Sequence, residues 1–199
     1  MGADYLSEEL ELRFEKLQHR PDLRLHALLY QWGARQFSSG LVMDLGSEVG
    51  IGIQLMRDAN PELEYIGCDI NRTSLTATNG LRIPKLKRQL QADGTSLPLG
   101  SNTLTGICMV NLLHLTDDPG AILSEASRVL KPGGKTLLSI PLRQLPARWD
   151  SQSLVTTFDR LIGQRFSDFH TPERFAGDWL SFSKEDILGA GIYLRICFK

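Results

Sequence analysis

The sequence predicts a doubly wound α/β fold, a mostly parallel sheet with helices on both faces, formed as a single domain. Three observations predict it. From Leu41 to Pro141 short apolar runs alternate with stretches of helical periodicity. A strand, a helix and a second strand follow one another within about thirty residues of Leu41, the length of a βαβ unit. A glycine-rich turn follows the first of those strands. With 199 residues, of which 42% are hydrophobic, the chain can bury one core of ordinary size.

Taken in order, "SEELELRFEKLQH" from Ser7 spaces leucines and Phe14 among charges behind a capping serine, which predicts an amphipathic helix. "PDLRLHALLYQWGARQF" after it predicts a second, in which His26 reads as a surface or packing residue. "GLVMDLG" is a strand ended by glycine, "IGIQLMRDANP" a helix stopped by Asn60 and Pro61, and "LEYIGCDIN" the next strand. The crossover is expected to be right-handed and the strands parallel. "TSLTATNGLRI" follows as a helix, "KRQLQADG" and "TLTGICMVNLL" as strands, "PGAILSEASRVLK" as a helix closed by "PGG", and "KTLLSIP" as the fifth strand. Beyond Pro141 the chain reads as loop, apart from a helix near Leu154 to Ile162, until a capped helix from Ser183 and a last strand. The expected division is thus residues 1–40 amino-terminal helices, 41–141 cofactor-binding core, 142–182 substrate or lid segment and 183–199 final helix and strand.

A formal net charge of -1 gives no global reason to expect a nucleic-acid partner. Arg82, Lys85, Lys87 and Arg88 form the only dense basic run and read as a solvated face beside a strand. Cys68, Cys108 and Cys197 each stand inside an apolar stretch without metal-ligand spacing, so they are expected to be reduced core residues, and no metal site is expected. No run approaches the roughly 20 apolar residues that cross a bilayer, and no signal peptide is evident, so a cytoplasmic protein off the membrane is expected.

Asp44, Asp69 and Asp93 stand at or just after strand ends on one rim of the predicted sheet. There, backbone amides and helix amino-termini converge, acids can bind hydroxyls or an amine, and glycines permit close approach. About nineteen residues separate Gly50 from Asp69, room for one helix and one strand before an acid suited to a ribose diol. Gly46, Gly50 and Gly52 do not have the G-x-G-x-x-G spacing of a nicotinamide site.

The stretches "LVMDLGSEVGIGIQLMRDANPELEYIGCDIN" and "LQADGTSLPLGSNTLTGICMVNLLHLTDDPGAILSEASRVLKPGGKTLLSIP" resemble the class I S-adenosylmethionine (SAM)-dependent methyltransferases, in particular the group with an "LKPGG" turn before the fifth strand. The resemblance implies SAM as cofactor, with Asp44, Gly46, Ser47 and Gly50 around its methionine part. It implies Asp69 on the ribose hydroxyls with Ile70 against the adenine, Asp93 and Gly94 at the adenine edge, and Asn111 and Leu112 as the floor near the methyl group. A sulfonium methyl is already activated, so such a protein has mainly to align a nucleophile and, where it carries a proton, supply a base. His114, just past the fourth strand, is the candidate base, the alternative being a loop-packing role. His170 is a second histidine that could meet substrate or belong to a lid.

Three positions depart from the family pattern: Glu48 stands on the middle glycine of D-x-G-x-G-x-G, Thr105 replaces an aspartate, and only one strand is evident after Gly191. Six strands with an exposed edge are then expected, and a homodimer through that edge. The segment after the fourth strand lacks the N-P-P-Y type motif of nucleic-acid amino-group enzymes. A methyltransferase acting on a small molecule is therefore expected, with a non-catalytic binding or assembly module as the alternative. The two differ in one observable. An enzyme keeps an open pocket lined by Asp69, Asp93 and Asn111, whereas a scaffold fills it with Glu48 or Met43. Trp149, Phe166, Phe169, Phe175 and Trp179 could stack on substrate or form a core beneath a lid.

Overall fold

The computed structural model describes residues 21–79, 83, 85–143, 145–172, 174–176, 181–183 and 191–199. The helix expected from Ser7, and most of the one expected from Ser183, lie outside them; Ser183 itself ends a strand. Helix α1 (Pro21–Gln36) leads into β1 (Leu41–Leu45), α2 (Ile51–Ala59), β2 (Glu64–Asp69), α3 (Arg72–Asn79), β3 (Leu86–Gln91) and β4 (Leu104–Val110). A 3-10 turn at Leu113–Leu115 then precedes α4 (Pro119–Val129), β5 (Leu130–Pro141) and α5 (Ser151–Gly163). Short strands β6 (Asp168–His170), β7 (Arg174–Ala176) and β8 (Ser181–Ser183) and the longer β9 (Ile192–Phe198) follow.

The main sheet has seven strands in the order β3-β2-β1-β4-β5-β9-β6, and β7 pairs only with β8. Strands β1 to β5 are parallel; β9 runs antiparallel to β5, and β6 antiparallel to β9. The order reverses between β1 and β4, and in a doubly wound sheet the crevice outside the carboxyl ends of two such strands is where a ligand sits.

Successive strand residues face opposite sides of the sheet, which divides the core in two. Met43, Leu45, Ile107, Met109 and Leu138 pack under α4 and α5, while Val42, Tyr65, Cys108 and Leu137 pack under α1 and α2. Asp44 shares parity with Val42 and is thereby carried under α1 and α2, where it is fully buried. All three cysteines are free and buried.

Asn60 ends α2 as expected, and two aspartates not read as caps begin later helices. Asn60 stops α2 by donating its N–H to the Met56 carbonyl, and its side-chain amide donates to the Ala34 and Phe37 carbonyls, pinning the end of α1. Asp118 caps α4 and Asp150 caps α5 through N–H groups of their first turns. In the basic run, Lys87 pairs with Glu64 at 2.8 Å and Lys85 with Glu62 at 4.0 Å, both on the exterior of the β3 edge.

Two expectations are corrected. Lys131–Gly134 is not a turn ahead of the fifth strand: β5 begins at Leu130, opposite Leu104, and the register jumps so that Gly106 faces Lys135, leaving "KPGG" as a bulge inside a continuous strand. Nor is β9 the edge of a six-stranded sheet. Asp168, Phe169 and His170 pair with Phe198, Cys197 and Ile196, so β6 covers the last three residues of β9 on the side where an exposed edge is expected.

Helix α5 is fastened to β9 by charge. Asp159 accepts from Arg195 Nε and Nη2, both at 2.9 Å, and from the Tyr193 hydroxyl at 2.6 Å, while the guanidinium lies 4.3 Å from the Tyr193 ring centre. With the pair only partly exposed, Asp159→Ala should cost about 2 kcal/mol, measured as a lower urea midpoint at unchanged m-value.

Candidate functional site at the switch point

Beyond β1 the chain turns over the end of β2. Gly46 and Ser47 donate their N–H groups to the Cys68 carbonyl at 2.8 and 3.0 Å, and Gly50 donates to Ser47 at 2.8 Å. Gly46 has φ 82° and Gly50 φ 86°, a region glycine enters without cost. A Cβ at Gly46 would lie 3.1 Å from Leu112, so this glycine lets the end of β1 approach the residues that follow β4.

Glu48 adopts φ 47°, the left-handed conformation that the missing glycine would supply. Its N–H donates to Asp69 Oδ2 at 2.8 Å, and Asn71 donates to Asp69 Oδ1 at 2.8 Å. Glu48 is exposed at the mouth and does not plug the site. Asn111, at φ 57°, also adopts this conformation, and it turns the chain off β4 while its N–H stays on the Ser139 carbonyl at 2.9 Å.

Around these ends opens a cavity of about 950 Å³. Gly46, Ser47, Asp69 and Ile70 line it from one side of the switch point, with Asp93, Gly94, Asn111 and Leu112 from the β3 and β4 ends. Asp93 accepts from the Thr95 N–H and hydroxyl, both at 2.9 Å, and these bonds lower its pKa. Ile70 and Leu115, 65% and 62% exposed, are the large apolar side chains left open to solvent among the described residues, and both belong to this wall. The residues present fit a nucleoside-bearing ligand. Asp69 keeps lone pairs for a diol beside its two N–H donors, Ile70 offers an apolar plate, and Gly46 opens the floor.

Two residues assigned to the cofactor are absent from the wall. Gly50 is buried at the start of α2, and Asp44 lies behind the surface. Burial pushes the Asp44 carboxyl up to about 7; the Tyr30 hydroxyl acts against that rise and the Asp69 charge adds to it. Tyr30 stands close enough for this electrostatic contact, yet neither carboxylate oxygen has a hydrogen-bond partner of ordinary geometry.

His114 does not reach the cavity either. It is 4% exposed, its Nδ1 is buried without a partner, and its backbone carbonyl is held by Arg148 at 3.2 Å. Burial, then the Arg148 charge, lowers its pKa. His170 stacks on Phe198, ring centres 5.5 Å apart, in β6. Among the described residues the histidine that does line the cavity is His26 of α1, set edge-on to Tyr30 at 5.2 Å and shifted down by burial. Its signal was the i, i+4 pair His26 and Tyr30 on one helix, which reads as packing until α1 is docked beside the crevice.

Trp149, Phe166 and Phe169 pack in the α4/α5 core, and no part of the wall is theirs. The side chains of Phe175 and Trp179 lie outside the described residues. Thr105 sits near the amino end of β4, donating to the Leu41 carbonyl at 3.2 Å, so its departure from the family pattern leaves the rim untouched. No group of metal-ligating side chains occurs among the described residues, and none of their helices is long and apolar enough to cross a membrane.

Known proteins similar to this chain are methyltransferases. Residues 43–138 match the family described as "Methyltransferase domain". A ubiquinone/menaquinone biosynthesis C-methyltransferase of Desulfotalea psychrophila is 31% identical over 97 residues, 49% of this chain and 39% of that protein. A malonyl-[acyl-carrier protein] O-methyltransferase of Alcanivorax borkumensis is 30% identical over 101 residues, 50% of this chain and 34% of that protein. This chain thus corresponds to a minor part of the length of these relatives. Among solved structures, a SAM-dependent methyltransferase of Thermotoga maritima superposes with a TM-score of 0.64 at 15% identity, covering 98% of both chains. A chain of the complex between the Haloferax volcanii Trm112 methyltransferase activator and a methyltransferase gives 0.65 at 15% identity, covering 99% of this chain and 96% of that one. Residues 43–138 therefore match the methyltransferase-domain family, and the chain carries the fold of the SAM-dependent methyltransferase structure on which it superposes.

Proposed function

We propose that this chain is a SAM-dependent methyltransferase acting on a small-molecule acceptor. The observation that carries this reading is the open cavity at the switch point, lined by Asp69, Asp93 and Asn111 and filled by neither Glu48 nor Met43. When bound, SAM supplies a methyl group already activated by its positive sulfur. The protein then has to bind, orient and manage a proton. Asp69 accepts the ribose hydroxyls, Ile70 covers one face of the base, and Asp93 with Gly94 meets its edge. Leu112 and Asn111 form the floor on which the acceptor is aligned. His26 rather than His114 holds the acceptor's proton, since its ring lines the cavity and burial keeps it neutral near pH 7. The small-molecule class is supported by a wall that, among the described residues, includes no lysine or arginine to grip a polyanion.

The alternative, a non-catalytic binding module, is favoured by one observation, the glutamate in left-handed conformation within the cofactor loop. Isothermal titration with SAM and with its demethylated product, S-adenosylhomocysteine, separates the two. The wild type should bind both, and Asp69→Ala should weaken binding at least about tenfold, the loss of one or two charge-assisted hydrogen bonds. Failure of the wild type to bind, with binding recovered in Glu48→Gly, establishes the module instead.

A further inference from the structure

Among the described residues Asp44 is the only carboxylate buried completely, and it has no counter-ion. The titratable groups facing it are Tyr30 of α1, with His26 edge-on to that ring and the Glu48 charge acting on its hydroxyl; Cys68 and Asp69 of β2; and Cys108 of β4. Helix α2 brings Gly52 against it and no titratable side chain. None of these groups is a lysine or an arginine. The place a Cβ on Gly52 would take meets the Tyr30 ring first and Asp44 Oδ2 at 2.6 Å, and both Gly52 and Tyr30 line the cavity. The carboxylate therefore stands directly behind the part of the wall made by Gly52 and the Tyr30 ring, at the end of the cavity where the loop from β1 begins.

A buried acid without a partner is costly to ionise, and a cation brought near it repays that cost. We propose that Asp44 is a specificity-determining residue that reads ligand charge through Gly52, its ionised form favouring the sulfonium cofactor over the uncharged thioether of the demethylated product. This rests on the reading of the cavity as a SAM site. The two ligands share their ribose, base, amine and carboxylate, so contacts at Asp69, Ile70 and Asp93 treat them alike. Their shared ammonium acts on Asp44 alike, so the difference the carboxylate senses is the one positive charge at sulfur, to which a hydrogen bond to the ribose is indifferent. Arrival of the sulfonium drives the Asp44 proton into solvent, and the proton returns when that charge is lost. Burial pushes the Asp44 carboxyl up to about 7, so this exchange falls in the neutral range.

The test is isothermal titration of the intact chain with SAM and with S-adenosylhomocysteine, at about pH 6, 7 and 8, in pairs of buffers of different ionisation heat. Binding of SAM should release about half a proton near pH 7, binding of the product markedly less, and the ratio of the two affinities should rise roughly tenfold from about pH 6 to 8. In Asp44→Asn both ligands should bind with a ratio that no longer changes with pH. Tyr30→Phe, which keeps the carboxylate and removes the hydroxyl that stabilises its charge, should retain the rise and move its midpoint to higher pH; it also serves if Asp44→Asn fails to fold. A flat ratio in the wild type, an unmoved midpoint in Tyr30→Phe, or a rise that survives in Asp44→Asn overturns the proposal, the last assigning the titration to His26. A wild type that binds neither ligand overturns the cofactor reading itself. One that binds both with a flat ratio leaves that reading standing and removes only the role of Asp44.

Discussion

Asp44→Asn should abolish a loss of stability that the wild-type chain suffers between about pH 4 and pH 7, a difference of about 4 kcal/mol when fully developed. The carboxyl has an ordinary value of 3.8, and burial in the folded chain raises it to about 7. Between these values the folded state holds a proton that the unfolded state has released, so raising the pH favours unfolding, and above about 7 the penalty is constant. Asparagine has a similar shape and nothing to release. Other acids act in the opposite sense: hydrogen bonds lower the pKa values of Asp93 and Asp150, and the Arg128 guanidinium lowers that of Glu125, so these groups stabilise the fold as pH rises. The informative quantity is therefore the difference between the two proteins. Urea unfolding of both at about pH 4 and pH 8 measures it. Parallel pH profiles would show that Asp44 finds a partner in the folded chain.

Phe158→Ala should cost about 3–5 kcal/mol, the range for removing a fully buried aromatic side chain from a core that cannot collapse around the gap. The ring is completely buried on α5, between Trp149 at 5.7 Å and Tyr193 at 6.2 Å. Its neighbour Asp159 carries the ion pair to Arg195 on β9, so a cavity here loosens a helix held by both packing and charge. No residue of α5 lines the site. Affinity for SAM should thus be unchanged at temperatures where the variant is folded, while the urea midpoint falls. A variant that loses binding at the same rate as it loses stability would show that α5 supports the rim.

Most of the rim was legible because it depends on order along the chain. Strand, glycine turn, helix, strand and acid must follow at near-fixed spacing for a parallel sheet to present Gly46, Asp69 and Asp93 together, and that spacing survives in the linear text. The bulge at Lys131–Gly134 was not legible, since proline and two glycines read as a turn unless β4 is present to continue the ladder on both sides. Nor was β6, three residues long, with too little pattern for any period to appear. It is a strand because β9 offers it an edge.

The same division runs through the site. The sequence by itself determined the parallel α/β core, the place of the cofactor loop after β1 and the acids that end β2 and follow β3, because hydrophobic period and turn chemistry are local properties. Only the tertiary structure decided which side chains reach the cavity. It buried His114 in a turn, brought His26 to the wall by docking α1, gave Glu48 a left-handed backbone with its N–H on Asp69, and sank Asp44 beneath Gly52. Each of these depends on contacts between segments distant in the chain, and burial, which sets the charge state of Asp44, exists only once those segments have closed over it.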